Sequence, residues 1–176
     1  MTTQIFSTER LILRKMVRDD EDTLLALFSD KEVMTYYPSC KNRQDTVKWI
    51  EWTLHHYKGY GFGMWIVEER ASGQFLGQCG LVLQKLAHGV EVELGYLFAK
   101  RHWGRGFATE AAFACKKYAF TELGLYKLVS LIDPQNNASL KVAKRIGMTY
   151  HRTISKWDKQ LALYASEKRK EEENDF

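Results

Sequence analysis

The chain has 176 residues, 45% hydrophobic and 27% charged, and its 26 Lys and Arg against 22 Asp and Glu leave a formal charge of +4. That size suits one domain able to bury its own core, no apolar run nears the ~20 residues of a membrane span, and a small dispersed charge argues against nucleic acid as a partner. Three cysteines, Cys40, Cys79 and Cys115, show neither metal-ligand spacing nor an even count, so no metal is expected and the thiols read as reduced and packed. The first residues lack the basic start and apolar core of a signal peptide, which makes cytoplasm the default compartment.

Leu11 to Arg14 reads as a first strand. Asp19, Asp20, Glu21 and Asp22 then place four acids at a helix start, where the dipole favours them, with Leu24, Leu25 and Phe28 as the apolar side. Met34 to Lys41 is a connecting loop that carries Tyr36 and Tyr37 before a proline, an extended stretch of the kind that meets ligands. Asn42 can cap the next helix, whose Val47, Ile50, Leu54 and Tyr57 recur at helical spacing beside a stripe of Trp49, Trp52 and His56. His55 and His56 invite a catalytic reading, but the spacing favours a half-buried aromatic seam. Gly59, Gly61 and Gly63 end the helix; Met64 to Val67 reads as a strand, Ala71 to Gly73 as a turn, Phe75 to Val82 as its return arm, and His88-Gly89 as the break before a strand from Val90 to Phe98. Strands joined this tightly pair antiparallel.

The strand ending at Phe98 runs into Arg101-His-Trp-Gly-Arg-Gly106 and then a helix from Phe107, whose Ala108, Ala111, Ala112, Cys115, Tyr118 and Ala119 mark a packed side. Two glycines alone would make only a turn. Set between a strand and a helix start, with basic side chains and unpaired N–H groups, the loop is suited to receive phosphate. A third glycine is missing where Thr109 stands, and no Gly-Lys-Ser/Thr follows, so neither a dinucleotide fingerprint nor a P-loop is present. Leu128 to Ile132 is the next strand; a strand-helix-strand crossover of this length favours parallel pairing with the earlier strand, and divergence near Gly95 would leave a slot. Asn136 or Asn137 caps a helix that ends at Gly147, and Tyr150 to Ile154 with Leu161 to Ala165 forms a final antiparallel pair around Trp157 to Lys159. The domain is expected to span residues 1–165, with a frayed polar tail over 166–176.

Arg101-x-x-Gly104-x-Gly106, followed by Thr109-Glu110-Ala111, resembles the coenzyme A pyrophosphate loop of the GNAT superfamily of N-acetyltransferases. The wording Trp103-Gly-Arg-Gly-Phe-Ala-Thr-Glu-Ala111 is similar to the RimJ/RimL branch, named for acetylation of ribosomal-protein N-termini. Thr8 to Arg14, Gly77-Gln-Cys-Gly-Leu81 and Asn136-Asn-Ala-Ser139 resemble further positions of that branch, so the likeness covers most of the chain. It implies an α/β (α+β) fold, with a mixed, mostly antiparallel sheet of about seven strands flanked by about four helices and splayed between the fourth and fifth strands.

The same resemblance implies acetyl-CoA as co-substrate, with no metal, and a primary amine as acceptor, either a protein N-terminus or a small molecule. The pantetheine arm would pair with Leu97, Phe98 and Ala99, phosphate oxygens would accept amides from Arg101, His102, Gly104, Arg105 and Gly106, and Ala108 and Thr109 would line the first helical turn. Glu93 is the favoured base, acting through water, with Glu91 second; both also read as ordinary carboxylates on a partly wet strand. Many members offer a tyrosine to the departing thiolate four residues before the glycine that ends the later helix, where this chain has Ala143. Ser139 is the remaining donor and Asn136 a pantetheine contact, roles that coexist with helix capping. A non-catalytic acyl-CoA-binding module is the alternative, and both monomer and homodimer stay open.

Overall fold

The computed structural model describes residues 2–169. Its sheet has eight strands in the order β1-β2-β3-β4-β5-β6-β8-β7. These are β1 Gln4–Ser7, β2 Leu11–Lys15, β3 Met64–Glu69, β4 Phe75–Leu86, β5 Gly89–Phe98, β6 Lys127–Ile132, β7 Thr149–Lys156 and β8 Lys159–Glu167. Every neighbouring pair is antiparallel except β5 and β6, which are joined by a helical crossover. The strand beyond the expected seven is β1: its Phe6 packs edge-on against Trp65 at 5.8 Å and against Tyr118 at 5.0 Å, anchoring a run too short to announce itself by alternation. The fourth and fifth strands of the sequence reading are therefore β5 and β6.

Four helices accompany the sheet: α1 Glu21–Ser29, α2 Arg43–Tyr60, α3 Phe107–Thr121 and α4 Asn137–Arg145. Trp49 Nε1 on α2 donates to Gln78 Oε1 at 3.1 Å, whereas the adjacent Cys79 places its sulfur 3.4 Å from that of Cys115 on α3. Because successive strand residues point to opposite faces, α2 and α3 cover opposite sides of the sheet. Ala111, Ala112, Cys115 and Ala119 of α3 are fully buried, small side chains that let the helix lie close to the strands. On β4, Gly80 is required by close approach: a Cβ there would stand 2.2 Å from the Gly63 carbonyl oxygen.

Helix α2 turns Ile50 and Tyr57 inward as its aliphatic spacing suggests, but the buried side is shifted toward Thr46, Thr53 and His56. Thr46, Ile50, Thr53, His56 and Tyr57 are buried while Val47 is exposed. His56 is a structural strut: its Nδ1 lies 2.7 Å from the Phe62 carbonyl and its Nε2 accepts the Leu83 amide at 3.3 Å. The acids before α1 also divide. Asp20 is buried and takes a two-pronged ion pair from Arg14 at 2.8 and 2.9 Å, while Arg14 Nε reaches Glu68 at 2.8 Å. The carboxyl-terminal boundary moves as well, since Ser166 and Glu167 pair with Leu128 and Lys127 and the Lys168 amide donates to the Tyr126 carbonyl. The rest of the expected tail, 170–176, lies outside the described residues. No helix among the described residues is long and apolar enough to cross a membrane.

Removing Asp20 would leave the Arg14 guanidinium buried with half of its compensation. Asp20→Ala is expected to lower unfolding free energy by about 3 kcal/mol, read as a shift of the urea midpoint at unchanged slope.

Candidate active site

The parallel pair β5–β6 is held by one backbone bridge, Glu93 with Val129, and beyond it the strands part. Side chains complete what the ladder leaves open: Ser130 Oγ donates to the Leu94 carbonyl at 2.7 Å, and the Leu131 amide donates to Glu93 Oε2 at 3.1 Å. The opening is a narrow cleft lined among others by Tyr36, Tyr37, Glu93, Tyr96, Ser139 and Trp157.

Backbone alternation decides which groups of β5 face the gap. The Ala99 amide donates to the Leu76 carbonyl at 2.9 Å and the β4–β5 register runs without a bulge, so Leu97 and Ala99 turn their amides toward β4. Leu94, Tyr96 and Phe98 turn theirs toward the gap. Ser130 takes the Leu94 carbonyl and Trp103 Nε1 takes that of Phe98 at 2.8 Å, leaving the Tyr96 amide and carbonyl and the Phe98 amide available. The gap-facing backbone groups of this edge thus belong to Tyr96 and Phe98, while the amides of Leu97 and Ala99, expected to meet the pantetheine arm, face β4.

The glycine loop is folded as its sequence suggests, and narrower in its donors. Lys100–His102 form a 3-10 turn in which the His102 amide donates to Ala99 and the Trp103 amide to Lys100, at 2.9 and 3.0 Å. His102 is 4% exposed, its Nε2 accepts Arg101 Nε at 3.0 Å, and its ring meets Phe107. Burial first, then the charges of Arg101 and Arg105, hold its pKa below the ordinary value. Neither its amide nor its buried ring is offered to a phosphate, so His102 braces the loop instead. Gly104 and Gly106 have φ of 75° and 78°, and the helix starts immediately after, so Gly104, Arg105, Gly106 and the first-turn amides through Ala108 and Thr109 remain as donors. Arg101 is exposed beside them.

An anchor that sequence reading did not identify holds this loop. Glu110 accepts Thr8 Oγ1 at 2.6 Å, the Arg10 amide at 3.0 Å and Arg10 Nε at 2.7 Å, while Arg10 Nη1 donates to the Arg105 carbonyl at 2.9 Å. The Arg10 and Arg105 guanidiniums lie 4.5 and 4.6 Å from the Phe107 ring centre. The Thr8-Glu-Arg10 and Thr109-Glu110 words of the sequence are therefore two halves of one joint.

The two strand carboxylates have separate surroundings. Burial works to raise the Glu91 carboxyl, but hydrogen bonds from Lys127 at 2.8 Å and His88 at 2.9 Å outweigh it and hold the pKa below the ordinary value. Glu93 lies at the parting of the strands with its carboxyl desolvated. That burial pushes its pKa up to about 7, against the lowering effects of Gln84, the Leu131 amide and the Lys156 charge. Tyr37 is 41% exposed as a residue, yet its phenol is desolvated within the cleft, and this together with the Glu93 charge pushes its pKa up to about 12.

Asn136 caps α4, its side-chain oxygen accepting the Ser139 amide at 3.1 Å. Ser139 Oγ donates to the Tyr96 hydroxyl at 3.1 Å, and that hydroxyl donates to the Ser139 carbonyl at 2.9 Å. Tyr96 was not among the expected site residues, because alternation puts it on the face opposite Glu93; a split sheet is open through its thickness, so both faces border the cleft. Ala143 is fully buried and packs the core. The Trp157-Asp158 turn, with φ of 53° and 57°, closes the outer end: Lys159 Nζ donates to the Tyr36 carbonyl at 3.2 Å and to Asp133 at 3.1 Å.

A half-open sheet with a glycine loop and a helix start at the foot of its gap is the architecture of an acetyltransferase, and similarity to known proteins gives the class. Residues 10–149 match the acetyltransferase (GNAT) domain family, and the chain belongs to that family of acetyl-CoA-dependent N-acetyltransferases. It is 48% identical over 158 residues to the uncharacterized protein YkkB of Bacillus subtilis, covering 89% of this chain and 92% of that one. It is 30% identical over 157 residues to the uncharacterized N-acetyltransferase p20 of Bacillus licheniformis, covering 86% of each. The crystal structure of an acetyltransferase from Agrobacterium tumefaciens superimposes with a TM-score of 0.83 at 30% identity, over 96% of this chain and 95% of that one.

Gly106 takes a left-handed conformation that costs a residue with a Cβ roughly 1–2 kcal/mol. Gly106→Ala is expected to weaken coenzyme A binding roughly tenfold, measured by calorimetric titration.

Proposed function

We propose that this protein transfers the acetyl group directly from acetyl-CoA to a neutral primary amine in a ternary complex, with Glu93 accepting the proton through water. The observation that carries this reading is the desolvated Glu93 carboxyl at the parting of β5 and β6, with a pKa of about 7. A base with that pKa is half ionised near neutral pH, where a general base works best. Glu91 is tied to Lys127 and His88 and is the weaker candidate. Positioning supplies most of the remaining barrier reduction: phosphates on Gly104 to Thr109 with Arg101 and Arg105, and the pantetheine arm along Tyr96 and Phe98 near Asn136.

The departing thiolate needs a proton or a donor. The Ser139 hydroxyl serves, oriented by Tyr96, in a chain that has Ala143 where other chains present a tyrosine. The absence of that tyrosine is the observation favouring a non-catalytic acyl-CoA-binding module. The acceptor is an α-amine or another primary amine, and the wording of the glycine loop supports a RimJ/RimL-like protein N-terminus. An α-amine with pKa ~7.8 is already roughly a tenth neutral at pH 7 and asks little of its base. The chain is read as one catalytic domain working in the cytoplasm, as monomer or homodimer.

Glu93→Gln is expected to lower kcat about 100-fold while leaving the acetyl-CoA dissociation constant within twofold; unchanged turnover would remove Glu93 from the chemistry, and no turnover in either form would favour the binding module. In the wild type, kcat should rise through pH 7 and level off above pH 8, since the ionised carboxylate is the active form.

The same group has a stability signature of known sign. Its folded pKa lies above the ordinary 4.5, so between pH 4.5 and 7 the folded chain holds the extra proton and stability falls as pH rises. Glu93→Gln removes that loss, and its melting temperature should exceed the wild type's at pH 8 by more than at pH 5.

A further inference from the structure

A second crevice lies next to the cleft, between the β4–β5 hairpin tip and the edge strand β7, lined by Leu86, Ala87, His88, Arg152, Ile154 and Ser155. Its neighbours Val129, Leu163 and Ala165 form a small apolar cluster, with Leu86 and Ile154 packed on it. Lys156 touches a neighbour of each, crevice and cleft. Its ammonium donates to the Lys85 carbonyl at 3.1 Å and lies 5.0 Å from the ring centre of Trp157, a cleft residue. Lys85 in turn separates Gln84, which donates to Glu93 at 3.2 Å, from Leu86 of the crevice. Arg152 Nη2 is 2.7 Å from His88 Nδ1.

The charges at this end are unequally satisfied. Asp133 is held by Lys159 and by the Gln135 amide, and Glu91 by Lys127 and His88. Among the described residues, neither Lys156 nor Arg152 has a carboxylate within ion-pair distance. The field of Lys156 is felt at the base itself, since it counts among the influences on the Glu93 carboxyl. An acceptor with a second ammonium would bring like charge against Lys156 and Arg152, which is unfavourable in a partly desolvated site. An acceptor with an anion close to its amine would meet the Lys156 ammonium at this rim, with Arg152 four residues along the same strand beside the crevice and an apolar wall behind.

We propose that the acceptor carries a carboxylate a few atoms from its primary amine, held at the β7 rim by Lys156 and Arg152, with its apolar body against Leu86 and Ile154. The inference rests on the acetyl-transfer reading and names the substrate class of that same site. The shared chemistry has two sources, the α-carboxylate of a free amino acid and the side chain of an acidic N-terminal residue, and matched probes tell them apart.

Thiol release from acetyl-CoA would be followed with L-leucine, L-leucinamide and 3-methylbutylamine, with the tripeptide amides Asp-Ala-Leu and Asn-Ala-Leu, and with spermidine. Support is a kcat/KM at least roughly tenfold higher for a carboxylate-bearing probe than for its neutral partner, a ratio that falls to about one in Lys156→Met and is reduced in Arg152→Gln. Preference for L-leucine assigns a free amino acid; preference for the Asp peptide assigns an acidic N-terminus. Equal rates for charged and neutral partners, or the highest rate with spermidine, overturn the inference and leave acetyl transfer standing. Thiol release with none of the probes also overturns it, and saturable acetyl-CoA binding in the same preparation then decides separately whether the transfer reading survives.

Discussion

The chain depends on a parallel pair of strands that is allowed to fail. With one bridge between β5 and β6, the edge of β5 beyond Glu93 would expose polar backbone in a region otherwise packed on both sides. Unpaired buried backbone groups are costly, so each must find another partner or meet solvent or ligand. Ser130 and Trp103 satisfy two carbonyls and Glu93 satisfies one amide. What they leave unsatisfied, at Tyr96 and Phe98, is a strand edge short enough to be completed by an amide-bearing arm. The proposed binding site is thus the remainder of an incomplete ladder, and the groups that stabilise the opening border the proposed base Glu93.

The glycine loop shows how such a site stays ordered before anything binds. A loop that offers amides to a ligand cannot use them to hold itself, and must be held by its side chains and by its neighbours. Glu110 gathers Thr8 and Arg10 from the turn between β1 and β2, and Arg10 reaches back to the Arg105 carbonyl. His102, turned inward, fixes the other shoulder. The amides of Gly104 to Thr109 are then left free on a rigid frame, so little ordering cost falls on the binding step.

Much of this was legible in sequence, and the failures have physical reasons. The loop, the helix it starts and the parallel crossover were visible because glycine, basic residues and helical spacing follow local rules. The joint between Arg10 and Glu110 was hidden because it connects residues 100 apart in sequence. His102 was expected to offer its amide because nothing in the local pattern shows that a 3-10 turn engages that amide with the Ala99 carbonyl. On α2, the aliphatic spacing pointed to Val47, but Thr46, Thr53 and His56 are the buried ones, since each hydrogen bonds inside the fold and so can be buried at little cost. Tyr96 was missed by treating the sheet as two separate faces, which a split sheet is not.

Glu91 and Glu93 illustrate the limit most clearly. They occupy the same face of one strand two residues apart, and no local pattern separates them. Their surroundings come from elsewhere: β6 and the hairpin turn bring Lys127 and His88 to Glu91, whereas Glu93 receives only neutral donors and the more distant Lys156. One carboxylate is fixed in its ionised form and the other is lifted toward neutrality, so environment divides two like groups into a strut and a candidate base. Such a division is written in the tertiary fold, by residues up to about 40 positions away.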